Sequence, residues 1–141
     1  MTWDAKAQKF LRETRRFARQ NGVDIRWGFS RKTLAEDGER VWGFFQPPWH
    51  RHRGEIRVAT GCECPTTILH TYAHEYAHFL YWRFRRERQP GLTYLAQEEH
   101  AEALAIRLLE EYGIDGRRMR KIRRASKAYL DRVRRGIPEP Q

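Results

Sequence analysis

The sequence predicts an α+β fold, in which a small sheet packs against helices. A segment near the start and three segments after residue 65 carry apolar residues at the three- and four-residue spacing of amphipathic helices. Between them, three short stretches alternate apolar and polar residues, the period of half-buried strands. No helix pattern separates these strands, which favours a largely antiparallel three-stranded sheet over βαβ units.

The first helix is predicted from Thr2 to Asn21, because Asn21-Gly22 supplies residues that tolerate the left-handed conformation of a helix C-cap. Three strands are predicted to follow, at Val23 to Ser30, Arg40 to Gln46 and Glu55 to Thr60. The chain thus begins with one helix and then builds its sheet.

Three helices are predicted after the sheet. Pro65 suits the first position of a helix that runs to about Arg85, since its missing N–H costs nothing there. Thr93 can cap the next helix, which Gly113 ends, and a last helix covers residues 117–135. At 141 residues we expect one domain, 1–141, with its core at 55–113 and the basic helix at 115–135.

Positive charge is concentrated near the C-terminus. Ten of the lysines and arginines lie between Ile114 and Gly136 against Asp115 and Asp131, so this segment contributes +8 to the formal net charge of +10. The positive electrostatic field of such a segment suits a polyanion, either nucleic acid bound at residues 117–135 or an acidic protein. A helix face that is only exposed to solvent has the same composition. The pattern leaves these readings open.

Two further features limit the class of protein. No window approaches the roughly 20 apolar residues of a membrane span, and charged residues interrupt the N-terminal segment, so we expect a cytoplasmic protein without a membrane partner. The two cysteines, Cys62 and Cys64, are too few for a disulfide framework. They are expected to be structural or redox-sensitive thiols rather than metal ligands.

The stretch His74-Glu75-Tyr76-Ala77-His78 indicates a specific chemistry. In a helix, positions i and i+4 lie one turn apart on one face, so both imidazoles can reach one ion at the roughly 2.0 to 2.1 Å that zinc requires. Glu75 is rotated about 100° from His74, where it can hold a water beside the ion. The sequence therefore predicts a site for one Zn²⁺ on this helix.

A catalytic zinc ion usually has three protein ligands, and the next helix offers a third. Glu98 and Glu102 lie one turn apart on the face that carries Ala101 and Ala105, so two carboxylates point into the core. Buried carboxylates are costly unless they are paired or bound to metal. We expect Glu98 to be a ligand and Glu102 to accept a hydrogen bond from a ligand histidine.

These two stretches resemble the gluzincin metallopeptidases, which have H-E-x-x-H on one helix and a glutamate ligand on the next. The likeness is to the compact minigluzincins and to the IrrE/ImmA type of metallopeptidase domain, whose second motif here reads Glu98-Glu99-His100-Ala101-Glu102-Ala103-Leu104-Ala105. The resemblance covers residues 55–113 and implies a zincin-like fold. It implies His74, His78 and Glu98 as zinc ligands and Glu75 as general base.

The resemblance also implies two supporting roles. Glu102 is expected to hydrogen-bond His74, and Ile56, Val58 and Ala59 would belong to an edge strand along which an extended substrate pairs. A hydrolase of this kind needs a donor for the developing oxyanion as well. Three residues are candidates between which the sequence does not choose: Tyr94, His100 and Tyr129.

Two other zinc-protease patterns match this sequence less well. Metzincins need a third histidine in H-E-x-x-H-x-x-G-x-x-H, but Tyr81 and Phe84 stand at the later positions. SprT-like proteases, which act on DNA-bound proteins, use a third histidine for which His100 is available. His70 precedes His74 by one turn and is expected to pack or support, and His50 with His52 forms an exposed cationic loop.

The sequence thus predicts a zinc-dependent endopeptidase that cleaves a protein or peptide substrate. A latent enzyme, covered by the first or the last helix, is one variant of this prediction. The alternative is a nucleic-acid-associated module, or a protease recruited to DNA-bound substrates, that uses the basic C-terminal helix.

Overall fold

The structure, a computed structural model, describes residues 3–28, 33–34, 40–61, 64–88 and 91–136. It confirms the predicted α+β class. In chain order the elements are α1 Ala5–Gln20, β1 Val23–Gly28, β2 Thr33–Leu34, β3 Arg40–Val41, β4 Gly43–Gln46, β5 Gly54–Ala59, α2 Pro65–Phe84, α3 Tyr94–Glu111 and α4 Gly116–Arg135. The predicted ends of the first strand (residues 29–30), Cys62 and the tail 137–141 lie outside the described residues.

Local signals define the helix ends. The side chains of Asp4, Thr93 and Asp115 each accept a hydrogen bond from a backbone N–H in the first turn of α1, α3 and α4. Gly22 follows α1 with a φ of +81°, which an L side chain would adopt only with strain. Pro65 begins α2 as predicted.

The three-stranded sheet has the order β1-β5-β4 and is mixed. β4 pairs with β5 in the antiparallel sense, as expected, but β1 runs parallel to β5, with Val23 opposite Gly54. The expectation of a largely antiparallel sheet is corrected at this pair. Between β1 and β4 the chain includes the small antiparallel pair β2–β3, and none of the described residues of this connection is helical.

The core lies between the sheet and α1, α2 and α3. Phe10 of α1 packs edge-on against the rings of Tyr72, Tyr76 and Tyr112, at centroid distances of 5.7, 6.5 and 5.1 Å. The Tyr72 hydroxyl lies 2.6 Å from Thr14 Oγ1, so this buried polar group is satisfied. These contacts pack α1 against α2 and against the C-terminal end of α3.

The last helix packs on α3 through a narrow stripe that buries Met119, Ile122 and Ser126. Three of its arginines are tied to acidic side chains of other elements: Arg118 to Asp4, Arg123 to Glu110 and Arg134 to Glu99. Within the described ranges, no helix is both long and apolar enough to span a membrane.

Candidate metal centre

The two histidines of the H-E-x-x-H motif lie side by side on α2. One helical turn separates them, and His74 Nε2 is 3.1 Å from His78 Nε2. Both rings are partly shielded from solvent, with 14% of the His74 side chain and 22% of the His78 side chain exposed. The spacing therefore directs both imidazole nitrogens to one point, as predicted.

Helix α3 brings Glu98 to the same point. Glu98 Oε2 lies 2.6 Å from His78 Nε2 and 3.5 Å from His74 Nε2, and the residue is 5% exposed. Ligand atoms of His74, His78 and Glu98 all lie within 4.8 Å of one another. These three residues could hold a metal ion.

The donor geometry fits a small tetrahedral ion. Ligand atoms about 2.1 Å from an ion at tetrahedral angles are about 3.4 Å apart, close to two of the three separations. The third, between Glu98 and His78, is shorter, so Glu98 would move outward by several tenths of an ångström. Glu98 Oε2 is also buried, and its close contact with His78 Nε2 does not have hydrogen-bond geometry. A buried carboxylate oxygen without a well-formed hydrogen bond is costly. A cation would satisfy it.

Behind the three residues, Glu102 joins two histidines. Its Oε2 lies 2.8 Å from His74 Nδ1, and its Oε1 lies 3.0 Å from His70 Nε2. A carboxylate only accepts hydrogen bonds, so His74 carries its proton on Nδ1 and presents Nε2 to the metal position. Glu102 thus lies where the sequence places it, and His70 supports it from the far side without joining the ligand group.

The electrostatics of this cluster favour positive charge. Burial alone would lower the pKa of His74, but interactions with Glu102 and Glu98 outweigh it and hold that pKa well above its usual value. Burial alone would raise the pKa of both carboxyls, yet the adjacent imidazoles hold the pKa of Glu98 and of Glu102 well below their usual range. Two ionised carboxylates therefore surround the metal position.

Tyr129 reaches the cluster from α4. Its hydroxyl donates a hydrogen bond to Glu98 Oε1, the oxygen that does not face the histidines, and its ring packs edge-on against His74. Burial and the nearby Glu98 carboxylate raise the pKa of Tyr129, so the hydroxyl keeps its proton. A hydroxyl has one proton to donate, so Tyr129 positions Glu98 in this arrangement. Tyr94, 68% exposed, also contacts the Tyr129 hydroxyl.

Glu75 lies beside the histidines at the cleft wall, where it is 6% exposed. Gly43 of β4 packs directly against this stretch of α2. A Cβ at Gly43 would lie 2.8 Å from Thr71 Cγ2 and 3.3 Å from Glu75 Cγ. The glycine thus permits the edge of the sheet to approach the helix that carries the motif.

Helices α2, α3 and α4 and strand β4 enclose a cleft of about 270 Å³ over the cluster. Arg132 of α4 lines it beside Tyr129, and its Nε is buried without a hydrogen-bond partner in the described part of the chain. Sequence reasoning missed Gly43 and Arg132. The glycine within a predicted strand was an available signal for a close backbone approach, whereas nothing separates Arg132 from its basic neighbours in the sequence.

The predicted substrate strand is corrected. Strand β5, which carries Ile56, Val58 and Ala59, is the central strand of the sheet, and β1 and β4 use both of its edges. All three side chains are buried as well. The expectation failed because alternation along a strand reveals its buried face but not its neighbours.

The remaining candidates lie away from the cluster. His100 packs against Tyr81 at a centroid distance of 5.7 Å and is not in the group that could hold a metal, which favours Glu98 as the third donor. Cys64 precedes α2, and hydrogen bonds from Thr67 lower the pKa of its thiol. The loop with His50 and His52 is exposed, as predicted.

Comparisons with protein-family models, with curated proteins and with solved structures find no match to this chain.

Proposed function

We propose that this chain is a zinc-dependent endopeptidase of the gluzincin type. The observation that carries the proposal is the convergence of His74 Nε2, His78 Nε2 and the buried Glu98 Oε2, with Glu75 at the wall of the adjoining cleft. Two imidazoles and one carboxylate are a donor set of catalytic zinc sites, which leave a fourth position open.

The ligand chemistry favours zinc over other common divalent ions. Calcium and magnesium prefer oxygen donors at higher coordination numbers, whereas two of the three donors here are imidazole nitrogens. The Glu102–His74 contact supports the same assignment, because histidines that bind zinc usually donate their second N–H to a carboxylate or carbonyl.

In this proposal each residue has a defined task. A bound zinc ion supplies Lewis acidity, polarising the substrate carbonyl and lowering the pKa of water towards 7. The Glu75 carboxylate accepts a proton from the attacking water and returns it to the leaving amine as the peptide bond breaks. Glu102 keeps His74 in the correct tautomer, and Tyr129 fixes the orientation of Glu98.

An extended substrate would pair with β4 instead of β5. Strand β4 pairs with β5 only, among described residues. It borders the cleft at Gly43, and Phe45 lines an adjoining pocket that shares Glu75 and Glu98 with the cleft. The backbone N–H of Ala59 donates to the carbonyl of Trp42, and in an antiparallel ladder hydrogen-bonded pairs alternate with pairs that are not hydrogen-bonded. Phe44 therefore uses its backbone groups to bind Arg57, whereas those of Gly43 and Phe45 point away from β5. These groups can bind a peptide backbone.

Two side chains at the cleft can donate to a developing oxyanion. Arg132 has an Nε–H that no described residue accepts, and Tyr94 is largely exposed at the rim. Since the proton of Tyr129 is directed at Glu98, Arg132 becomes a candidate alongside Tyr94.

Helix α4 forms one wall of this cleft, an arrangement that also suits a latent enzyme. Ala125, Tyr129 and Arg132 all line the space over the metal position, so α4 limits its width. A long substrate would then need α4 to move. The alternative function, a nucleic-acid-associated module, rests on the remaining exposed basic residues of α4.

Cleavage of a labelled unfolded protein tests the proposal. Glu75→Gln should abolish cleavage while keeping the metal, because the amide cannot take up the proton and the three ligands are untouched. Glu87→Gln is a matched control at an exposed position and should leave the rate unchanged. Undiminished cleavage by metal-loaded Glu75→Gln protein would rule out this role for Glu75.

A further inference from the structure

A second, larger cavity lies between helix α1 and strand β1. This α1–β1 groove has a volume of about 1060 Å³ and shares no lining residue with the metal cleft. Its walls carry four arginines of α1 and two tryptophans: Arg12, Arg15, Arg16, Arg19, Trp3 and Trp27. No role in the proposed peptidase reaction uses these residues.

The four arginines form a continuous cationic face. Positions 12, 15, 16 and 19 are three or four residues apart, so their side chains project from one side of the helix. All four are exposed, and none forms an ion pair with any residue in the described ranges. Asp24 is the acidic residue in the groove, and Arg53 holds it with two hydrogen bonds of 3.0 and 3.1 Å. Asp24 also interacts electrostatically with Arg19, so the uncompensated positive charge of the α1 face lies mainly on Arg12, Arg15 and Arg16.

The basic helix α4 differs in this respect. Arg118, Arg123 and Arg134 are held by acidic side chains, and Arg132 points into the metal cleft. Three basic residues of α4 border a separate pocket, whose described lining has no aromatic ring: Arg117, Arg118 and Lys121. The α1–β1 groove combines basic residues with aromatic rings.

An exposed aromatic ring in the groove favours nucleic acid over other polyanions as its ligand. Trp27 is 36% exposed, and its buried side rests on Tyr72 at 5.6 Å between ring centroids. Unpaired bases stack on such supported rings, whereas the bases of a duplex are not available for stacking. An acidic peptide would satisfy the arginines but would gain little from Trp27.

The groove lies on the opposite side of α2 from the metal cleft. Tyr72 lines the groove and His74 lines the cleft, and residues two positions apart in a helix project about 200° from each other. A ligand in the groove therefore leaves the catalytic cluster accessible.

We propose that the α1–β1 groove binds single-stranded nucleic acid, with the α1 arginines on the phosphates and Trp27 stacked on a base. The chain would then hold a strand on one side of α2 and a protein substrate on the other. The binding site does not depend on the metal cluster, so the two functions can be tested separately.

The test is fluorescence anisotropy of the full chain with a labelled oligothymidylate of about 12 nucleotides, over a series of salt concentrations. Four phosphate contacts predict a slope of log K against log salt of about −3, because each contributes about 0.7 on a single strand. Arg12→Gln/Arg16→Gln should reduce the slope to about −1.4. Trp27→Ala should weaken binding about tenfold without changing the slope.

Matched controls distinguish this groove from α4. Arg120→Gln/Arg124→Gln has the same spacing and the same loss of charge, on exposed positions of α4, and should leave affinity and slope nearly unchanged. Because the α1 arginines are exposed, their substitution should preserve the fold, so these variants test the proposal even if Trp27→Ala does not fold. Trp27→Phe should fold and should retain most of the base stacking. Glu75→Gln should bind the oligonucleotide like the wild type.

Four results would overturn the proposal. One is loss of binding in the α4 control but not in the α1 variant, and another is unchanged affinity in Trp27→Ala. The third is equal affinity for polyglutamate or for anionic lipid vesicles, which would indicate a surface that recognises charge alone. Absence of binding to oligothymidylate at low salt also contradicts it, without bearing on the peptidase proposal.

Discussion

Replacing Glu102 by glutamine should weaken metal binding without removing any ligand. Glu102 is 2% exposed, and its carboxylate oxygens lie 2.8 Å from His74 Nδ1 and 3.0 Å from His70 Nε2. A glutamine has one carboxamide oxygen, so its NH₂ group would face one of these imidazoles and the charge that supports His74 is lost. Changes of this kind cost about 10- to 100-fold in metal affinity, or about 1.4 to 2.7 kcal/mol.

Competition against a chromophoric zinc chelator measures this effect as a ratio of dissociation constants. Glu110→Gln is the control, because Glu110 is an exposed residue of the same helix, away from the cleft. We expect the control to bind zinc like the wild type. Equal affinity of Glu102→Gln and the wild type would refute the view that Glu102 supports a ligand.

Two other changes probe the surroundings of the metal site, and a third probes the ion pair of the α1–β1 groove. Tyr129→Phe should lower zinc affinity several-fold, because Glu98 loses a hydrogen bond; unchanged affinity in the same competition would contradict this. Gly43→Ala should lower the free energy of unfolding by about 1 to 3 kcal/mol, since the new methyl would meet a side chain of α2 at 2.8 Å, and a urea titration checks it. The hydrogen bond with the Arg53 guanidinium lowers the pKa of Asp24. The ionised Asp24–Arg53 pair therefore stabilises the fold above the ordinary pKa of the carboxyl, and this stabilisation is lost as pH falls through the lowered pKa. The free energy of unfolding of Asp24→Asn should therefore fall less than that of the wild type between pH 5 and about pH 3. Equal decreases in the two proteins would contradict a stabilising Asp24–Arg53 pair.

The helices were predictable because their signals are local. Apolar spacing and the capping residues Asn21-Gly22 and Thr93 placed helix ends within a few residues of their positions in the structure. The H-E-x-x-H spacing and the two carboxylates on the apolar face of α3 likewise placed the members of the cluster, since helical periodicity determines which side chains share a face.

Strand neighbours and the contributions of distant segments could not be predicted in this way. The parallel pairing of β1 with β5 joins residues far apart in the chain, and no local pattern specifies it. Tyr129 and Arg132 reach the metal cleft only because α4 folds back across α3. The charge pattern along the chain does not reveal the α1 arginines, because the C-terminal segment dominates it, whereas the fold gathers these arginines around one groove.

The most direct measurement is the metal content of the purified chain beside His74→Ala and Glu98→Ala, by inductively coupled plasma mass spectrometry. A site built from His74, His78 and Glu98 predicts one zinc ion per wild-type chain and a strong loss in both variants, with His100→Ala retaining the metal as a control. Wild-type protein without tightly bound metal, or equal zinc in all four proteins, would contradict the central claim.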